Sequence, residues 1–375
     1  MFTSNVGDNH QMKILILAGT GSMGTHLTSL LSKQGHDVFV TSRSKHEDSN
    51  RIKYLQGNAR DIEFLNEILE SPWSAIVDFL NYRTEEFKSR MNLLLESTDQ
   101  YVFISSARVY SQSDSPIIEE TPRLLDVSTD EAYLKTDEYG LAKARQENLL
   151  QDSGSQNWTV IRPSITFSED RLQLGVLEKE AWLYRALQGR SIVFSDDIVN
   201  KVTTMTYGWD VAQGIASIVA NDKALGEIFH ITSQESFRWH EILSIYINTL
   251  ENHLGKRPRV VMAGKSPNLR FSKYQLIYSR YFDRRFDNQK INNFLPVDDF
   301  QNIKGSLQKC LEEFLKEPIF RPINWKLEAV NDRVAGEYTP LKKIPSLKAK
   351  IDYLEERFNI SFFLKWPKKI YRLSR

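Results

Sequence analysis

The chain has 375 residues, of which 41% are hydrophobic, and its formal net charge is +1. This length supports a large core and favours two domains, or one large domain with an annex. The balanced charge gives no general reason to expect a nucleic-acid partner, and a single cysteine, Cys310, excludes an intrachain disulfide framework. The polar N-terminus lacks a secretory signal and no run approaches the roughly 20 apolar residues that span a bilayer, so we expect a cytoplasmic protein.

The first recognisable element is an apolar run, Ile14 to Leu17, that ends in a glycine-rich turn. The glycines have the spacing G-x-G-x-x-G, and Leu27 and Leu31 continue as the apolar stripe of a helix. A strand, a tight turn and a helix N-terminus together present backbone N–H groups to a pyrophosphate. We therefore predict dinucleotide binding here, through Gly19, Gly21, Ser22, Met23 and Gly24.

The second apolar strand, Val38 to Thr41, runs into Ser42 and Arg43. An acidic residue at this strand end would bind the adenosine ribose and favour NAD. Arg43 instead suits a 2′-phosphate, so the sequence favours NADP, with NAD as the alternative.

Further short apolar runs alternate with helical segments along the chain, which indicates a Rossmann α/β fold. The predicted fold is a doubly wound parallel sheet with a smaller C-terminal substrate-binding region. Later strands are expected at Ile52–Leu55, Ala75–Leu80, Tyr101–Ile104, Thr159–Pro163 and Ile228–Ile231, and Asp210 is expected to cap a helix over Val211–Val219. The predicted organisation is a dinucleotide-binding domain over 12–165, an interleaved substrate-binding region over 166–265 and a C-terminal extension over 266–375.

Ser106, Tyr139 and Lys143 are the predicted catalytic residues. Tyr139 and Lys143 are four apart and share one helix face, and an ammonium beside a phenol lowers the pKa of that phenol. Tyr139 would then exchange a proton with a substrate hydroxyl while hydride moves between the same carbon and a nicotinamide. Ser106 would hold the substrate oxygen, and Lys143 would also anchor the nicotinamide ribose.

The order of these motifs resembles the extended short-chain dehydrogenase/reductases, specifically the NAD(P)-dependent epimerase/dehydratase group. The resemblance covers residues 12 to 250 and is carried by Gly19–Gly24, Ser105–Tyr110, Tyr139-x-x-x-Lys143 and Arg162-Pro163. It implies an enzyme acting on a nucleotide-activated sugar. It also implies that Asp61 lies near the adenine, that Leu80 and Asn81 line the cofactor groove, and that Arg162 and Pro163 belong to the cofactor site.

By the same likeness, the segment from Ser164 to Thr206 is a variable substrate lid. Its position and chemistry make Arg171, Trp182 and Arg185 candidate contacts for the diphosphate or base, beside Ser106. The resemblance also favours a homodimer.

Two departures from the family pattern bear on the cofactor turn and on the type of reaction. Extended members usually have glycine where Ala18 stands, so the turn is expected to differ slightly. Dehydratases carry an Asp-Glu pair after the catalytic hydroxyl residue, whereas Ala107 and Arg108 stand here, which disfavours dehydration. The remaining hypotheses are a sugar epimerase, an NADPH-dependent ketoreductase of a nucleotide keto-sugar and, from a different class, a non-catalytic dinucleotide-binding regulator. The histidines show no metal-ligand spacing, so no metal is expected.

The C-terminal stretch is strongly basic. From Leu341 to Arg375 it carries ten basic residues against three acidic ones, with Phe362, Phe363 and Trp366 interleaved. Two interpretations remain open: peripheral contact with an anionic membrane, and a tail docked on its own protein with a solvated basic face.

Overall fold

The computed structural model describes residues 11–267 and 269–359, which form two compact units. The first unit contains the described part of Met1–Asp170 together with Thr203–Ser236 and Asp283–Leu307. The second contains Arg171–Val202, Phe237–Phe282 and the described part of Gln308–Arg375. The aromatic residues of the predicted basic tail, Phe362, Phe363 and Trp366, lie outside the described residues.

The strands are β1 (Lys13–Leu17), β2 (Asp37–Ser42), β3 (Ile52–Gln56), β4 (Trp73–Asp78), β5 (Thr98–Ile104), β6 (Trp158–Pro163), β7 (Thr166–Phe167), β8 (Gln173–Leu174), β9 (Leu177–Glu178), β10 (Ile192–Ser195), β11 (Val202–Thr203), β12 (Thr206–Tyr207), β13 (Glu227–Ile231), β14 (Phe237–Arg238) and β15 (Val260–Ala263). The α-helices are α1 (Gly24–Lys33), α2 (Ile62–Ile68), α3 (Thr84–Lys88), α4 (Met91–Glu96), α5 (Leu124–Val127), α6 (Glu131–Leu134), α7 (Tyr139–Gln151), α8 (Lys179–Leu187), α9 (Asp196–Val199), α10 (Gly208–Ile218), α11 (Trp239–Leu254), α12 (Leu269–Gln275), α13 (Gln289–Asn292), α14 (Ile303–Lys316), α15 (Trp325–Ala335) and α16 (Leu347–Phe358).

A seven-stranded parallel sheet, in the order β13-β6-β5-β4-β1-β2-β3, forms the centre of the first unit. All seven of its strands are among those that the apolar runs predict, and the predicted Rossmann fold is confirmed. The chain leaves β1 in one direction through β2 and β3 and returns on the other side through β4. The switch point where a doubly wound fold binds its ligand therefore lies between β1 and β4.

Alternating residues of β1 pack into two separate cores, one on each face of the sheet. Ile14 and Ile16 face a cluster that includes Leu27 of α1 and Ile215 of α10. Leu15 and Leu17 face another cluster that includes Leu65 and Phe87. Both faces are covered by helices, which is why this strand is apolar throughout instead of alternating with polar residues.

Residues Asp283–Leu307 belong to the first unit, although the sequence interpretation placed them in a C-terminal extension. Ile291 and Val297 are buried in the sheet core, and the Lys290 ammonium lies 2.7 Å from the Glu227 carboxylate of β13. These contacts join distant parts of the chain. They produce no periodic pattern in the sequence, so the sequence did not predict that this segment belongs to the first unit.

Helix α10 corrects the predicted role of Asp210. The helix begins at Gly208 and its N-cap is Tyr207, so Asp210 lies inside the first turn. Its carboxylate accepts a hydrogen bond from the Gln301 backbone N–H at 3.2 Å, and burial raises the pKa of Asp210 to about 7.

The second unit is built from short strands and helices. β10 pairs in parallel with β15, β8 pairs with β9 in an antiparallel hairpin, and α15 packs against α16. Cys310, on α14, is fully buried. Among the helices that the structure describes, none is both long and apolar enough to cross a membrane.

Candidate functional site

The glycine-rich turn after β1 is closely packed at Gly19 and Gly24 and open at Gly21. A Cβ on Gly24 would lie 2.4 Å from the Gly19 carbonyl oxygen, and one on Gly19 would lie 2.6 Å from Ile16 Cγ2. A Cβ on Gly21 would meet nothing within 4 Å. Gly19 and Gly24 thus allow close packing of strand and helix, whereas Gly21 borders open space where a ligand can approach the backbone.

Helix α1 begins directly after this turn. The structure gives its N-cap, Met23, no side-chain capping bond and gives its first turn no acidic residue. The partial positive charge of the helix N-terminus is therefore not neutralised by α1 itself. Together with the open side at Gly21, this geometry fits a dinucleotide pyrophosphate.

Ala18 adopts a left-handed backbone conformation, with φ of 55°. This is the conformation that favours glycine, which is the residue that the family resemblance leads us to expect at this position. The Ala18 N–H donates to Thr41 Oγ1 at 2.8 Å, which ties the turn to β2. The turn therefore forms with alanine, at a cost of about 1 kcal/mol in backbone strain.

The other predicted cofactor contacts follow neighbouring strands. Leu17 is paired with Asp78, so the turn after β1 and the segment Phe79–Asn81 leave the sheet side by side. Arg43 is exposed directly after β2. Asp61 caps α2 by accepting the Glu63 N–H at 3.0 Å.

Lys143 connects helix α7 to the end of β4. Its ammonium is buried, lies 3.4 Å from the Leu80 carbonyl oxygen and sits 4.4 Å from the centre of the Phe103 ring. Burial lowers the pKa of Lys143 to about 8, although Asp78 and Glu147 favour its charged form. The amine thus changes charge close to neutral pH.

Asp78 is a site residue that the sequence interpretation missed. It is fully buried at the end of β4 and accepts hydroxyl hydrogen bonds from Tyr82 at 2.9 Å and Tyr101 at 2.8 Å. Burial raises the pKa of Asp78, and the nearby Lys143 opposes that shift. The signal was available, because a carboxylate inside an apolar strand requires partners.

Ser106 and Tyr139 lie on two segments in direct contact. Ser106 follows β5, and its Oγ accepts the Arg108 N–H at 3.2 Å, capping a 3₁₀ turn over Ala107–Val109. Tyr139 is the half-buried first residue of α7. A Cβ on the next residue, Gly140, would lie 3.0 Å from the Arg108 carbonyl oxygen, so only a small residue fits there comfortably.

Arg108 joins the same two segments through its side chain. It forms an ion pair with Glu138, the N-cap of α7, and its guanidinium carbon lies 5.1 Å from the centre of the Tyr139 ring. The sequence interpretation did not predict this contact of Arg108 with Tyr139.

Arg162 has an internal role that corrects its predicted place in the cofactor site. Its guanidinium is buried and donates to both oxygens of Glu147, at 2.9 and 2.7 Å, while Ser105 Oγ donates to the same carboxylate at 2.5 Å. Its remaining amino group donates to the Glu119 carbonyl oxygen. The side chain thus fastens α7 to the ends of β5 and β6, and only Pro163 remains of that predicted pair.

Two of the predicted substrate contacts in the second unit are structural. Arg185 is fully buried and its guanidinium pairs with Glu328, Asp332 and Glu337 at 2.6 to 2.8 Å. Trp182 is fully buried too, stacks on Tyr246 and donates to the Leu172 carbonyl oxygen. Neither side chain has surface left for a substrate, which corrects that prediction.

Arg171, the third predicted contact, is partly exposed and lies 3.1 Å from the Glu178 carboxylate. Among the residues that the structure describes, no group of three or more histidine, cysteine or acidic side chains is placed to hold a metal ion.

The sequence model of the NAD dependent epimerase/dehydratase family matches residues 14–232 of this chain. The chain belongs to this family. The matched range runs from β1 to the residue after β13 and so includes every strand of the central sheet, the glycine-rich turn and the segments that carry Ser106, Tyr139 and Lys143.

Two relatives illustrate the range of activities among similar proteins. The chloroplast stem-loop binding protein of 41 kDa b from Arabidopsis thaliana is 29% identical over 247 residues, 61% of each chain. The 2′-dehydrokanamycin reductase of Streptomyces kanamyceticus is 22% identical over 62% of this chain and 64% of the reductase. The matches thus span less than two thirds of the length of either relative.

Solved epimerase structures have the same fold. The UDP-glucuronic acid 4-epimerase from Bacillus cereus, solved in complex with UDP-glucuronic acid and NAD, gives a TM-score of 0.60 at 17% identity. The similarity covers 81% of this chain and 99% of the epimerase. At this identity, the likeness establishes the shared fold.

Proposed function

We propose that this family member is an NAD(P)-dependent epimerase of a nucleotide-activated sugar, with Ser106, Tyr139 and Lys143 as its catalytic residues. The observation that carries the proposal is the contact between the Ser106 segment and the start of α7. Gly140 packs against the Arg108 backbone, so the hydroxyl-bearing turn and the tyrosine helix meet directly. Lys143, one turn further along α7, reaches the β4 end at the sheet's switch point.

The glycine-rich turn would hold the dinucleotide, with its pyrophosphate against the open side at Gly21 and the start of α1. The nicotinamide, when bound, supplies a reversible hydride acceptor. Arg43 is exposed at the end of β2, where a cationic side chain suits a 2′-phosphate, and this supports NADP over NAD. Asp61, Leu80, Asn81 and Pro163 complete the proposed cofactor contacts.

The three catalytic side chains have distinct roles in this proposal. The Tyr139 oxygen takes the proton from the reacting sugar hydroxyl. It returns the proton after the keto sugar has rotated in the site and presents its other face. Ser106 Oγ donates a hydrogen bond to the same sugar oxygen. Lys143, while protonated, stabilises the Tyr139 phenolate electrostatically and binds the nicotinamide ribose. Arg171 remains a proposed substrate contact.

An NADPH-dependent ketoreductase of a nucleotide keto-sugar is the second candidate. It needs the same three catalytic residues. Arg43 favours it because Arg43 suits NADP, and reductases usually take their hydride from NADPH. The similarity to a 2′-dehydrokanamycin reductase points in the same direction. A non-catalytic dinucleotide-binding regulator is the third candidate. Ser106, Tyr139 and Lys143 are all present in this chain, which argues against a regulator that has lost its catalytic residues.

Turnover assays with a panel of UDP- and dTDP-sugars separate these candidates. An epimerase interconverts two sugars, which chromatography detects, with no net change in nicotinamide absorbance. A ketoreductase consumes NADPH in proportion to product. Tyr139→Phe and Ser106→Ala serve as matched hydroxyl deletions, and each is expected to lower kcat at least about a hundredfold. Full activity in Tyr139→Phe would refute the catalytic assignment, and cofactor binding without turnover of any sugar would favour the regulator.

Native mass spectrometry of the purified protein tests two further proposals at once. The predicted homodimer would give twice the chain mass of 43.6 kDa, and a retained cofactor would identify itself as NAD or NADP by mass. A tightly retained NAD would favour the epimerase and contradict the interpretation of Arg43.

A further inference from the structure

Helix α16 presents an apolar stripe to solvent. Leu347 is 74% exposed, Ile351 46% and Phe358 55%, and the partly buried Leu354 lies between them. Their spacing of i, i+4, i+7 and i+11 places all four on one narrow face of the helix. Exposed apolar side chains are ordinary when scattered, but three of them aligned on one face of a helix mark an interaction surface.

The opposite face of α16 is fastened to its own unit. The Tyr353 hydroxyl is buried and donates to the Asp332 carboxylate of α15 at 2.7 Å. The Glu356 carboxylate lies 2.9 Å from the Arg270 guanidinium. The helix has defined ends, with Ser346 capping its start and a left-handed Asn359 at its end. The exposed stripe therefore belongs to a helix held in place by its other side.

Basic residues flank the stripe on α16 and precede it. Lys348, Lys350 and Arg357 lie on the helix, and Lys342 and Lys343 are exposed just before it. Of the three acidic residues of α16, Glu356 pairs with Arg270 and Asp352 pairs with Lys326. Glu355 is the remaining acidic residue, and the five basic residues outnumber it, so the surface around the stripe carries a net positive charge.

The sequence that follows α16 has the same chemistry. Residues 360–375 contain five basic and no acidic residues, together with Phe362, Phe363, Trp366 and Tyr371. This segment would bring further positive charge to a surface that is already positive, so charge opposes its docking on the stripe. A second copy of α16 facing the first meets the same repulsion. A polyanionic surface attracts both segments, and aliphatic and aromatic side chains suit the headgroup boundary of a lipid layer better than a nucleic acid.

We propose that α16 is a membrane-docking surface, on which Leu347, Ile351 and Phe358 enter the headgroup region of an anionic lipid membrane while the flanking lysines contact lipid phosphates. Such binding is peripheral and reversible, and it weakens as salt screens the lipid charge.

Co-sedimentation of the full-length protein with lipid vesicles tests this proposal without depending on enzymatic activity. The vesicles are phosphatidylcholine with or without phosphatidylglycerol, at low and high salt. The informative pair of variants is Leu347→Glu and Ile319→Glu, because Ile319 is 69% exposed in the same unit and not on α16. We expect salt-sensitive binding to the anionic vesicles only, at least about tenfold weaker partitioning for Leu347→Glu, and unchanged partitioning for Ile319→Glu.

Several results would overturn the proposal. Absence of binding by the wild type, or equal binding by Leu347→Glu and wild type, would show that the stripe does not contact lipid. Stronger vesicle binding after deletion of residues 360–375 would mean that this segment covers the stripe. A dimer that Leu347→Glu converts to a monomer, without vesicle binding by either, would assign the stripe to a second copy. Binding of RNA in place of vesicles would assign it to a nucleic acid.

Discussion

The guanidinium carbon of Arg108 lies 5.1 Å from the centre of the Tyr139 ring, while its side chain pairs with Glu138 at the start of α7. A cation at the ring face lies close to the oxygen on which negative charge would develop during the proposed proton transfer. We expect Arg108→Leu to lower kcat about three- to tenfold, the range that corresponds to roughly 1 kcal/mol of lost stabilisation. Arg108→Lys, which keeps the charge, is expected to recover part of this loss. Unchanged kcat in Arg108→Leu, at unchanged thermal stability, would contradict this role.

The glycine-rich turn allows binding and folding to be tested separately. Gly21→Ala adds a methyl group to open space, so we expect the melting temperature to stay near that of the wild type while dinucleotide affinity falls at least about tenfold. Gly24→Ala places a methyl group 2.4 Å from the Gly19 carbonyl oxygen, so we expect the melting temperature itself to fall. Calorimetric titration with NADP and NAD gives the affinities. The opposite pattern would mean that the open side of the turn does not face the cofactor.

Ala18 offers a stabilising substitution. Its φ of 55° is strained for alanine and unstrained for glycine, so Ala18→Gly is expected to raise the free energy of unfolding by about 0.5 kcal/mol, because the relieved strain exceeds the added entropy of the unfolded chain. Ala132→Gly, at an exposed helical position in α6, is expected to lower it by a similar amount. Urea unfolding measures both. Destabilisation by both substitutions would show that the backbone at Ala18 is not strained.

The buried ion pairs of the second unit predict a large stability effect. Arg185→Leu leaves Glu328, Asp332 and Glu337 short of a buried cation, and Arg190 compensates only in part. We expect a loss of about 3–5 kcal/mol in the free energy of unfolding. Arg257→Leu breaks an exposed pair with Glu251 and is expected to cost less than about 1 kcal/mol. Equal effects of the two substitutions would argue against the buried network.

Asp210 predicts a pH-dependent stability. Its pKa is about 7 in the folded protein because the carboxyl group is buried, against an ordinary value of 3.8. The folded state therefore holds this proton more tightly than the unfolded state, and the stability it provides is lost as pH rises from about 4 through 7. We expect Asp210→Asn to reduce the loss of thermal stability between acidic and mildly alkaline pH. Asp99→Asn, at an exposed position on β5, is the control, and an identical pH profile for Asp210→Asn and wild type would disprove the effect.

Most of the fold and the glycine-rich turn of the candidate site follow from local patterns. The seven sheet strands were predictable because a strand covered on both faces must be apolar throughout, and this requirement is written in a few consecutive residues. The glycine-rich turn was predictable for a similar reason, since close approach and open space each demand glycine at fixed spacing.

Only the tertiary structure decided what the charged residues do. From sequence, the family resemblance placed Arg162 in the cofactor site, and the position and chemistry of Arg185 made it a candidate substrate contact. In the fold, each is buried against carboxylates, some of them more than a hundred residues away in the case of Arg185. Asp78 is buried near Lys143, and its carboxylate accepts hydrogen bonds from two tyrosine hydroxyls. The partner of a charge is fixed by which distant segments the fold brings together, whereas apolar periodicity and glycine spacing are local, and this is why the sequence determined the sheet and the turn but not these ion pairs.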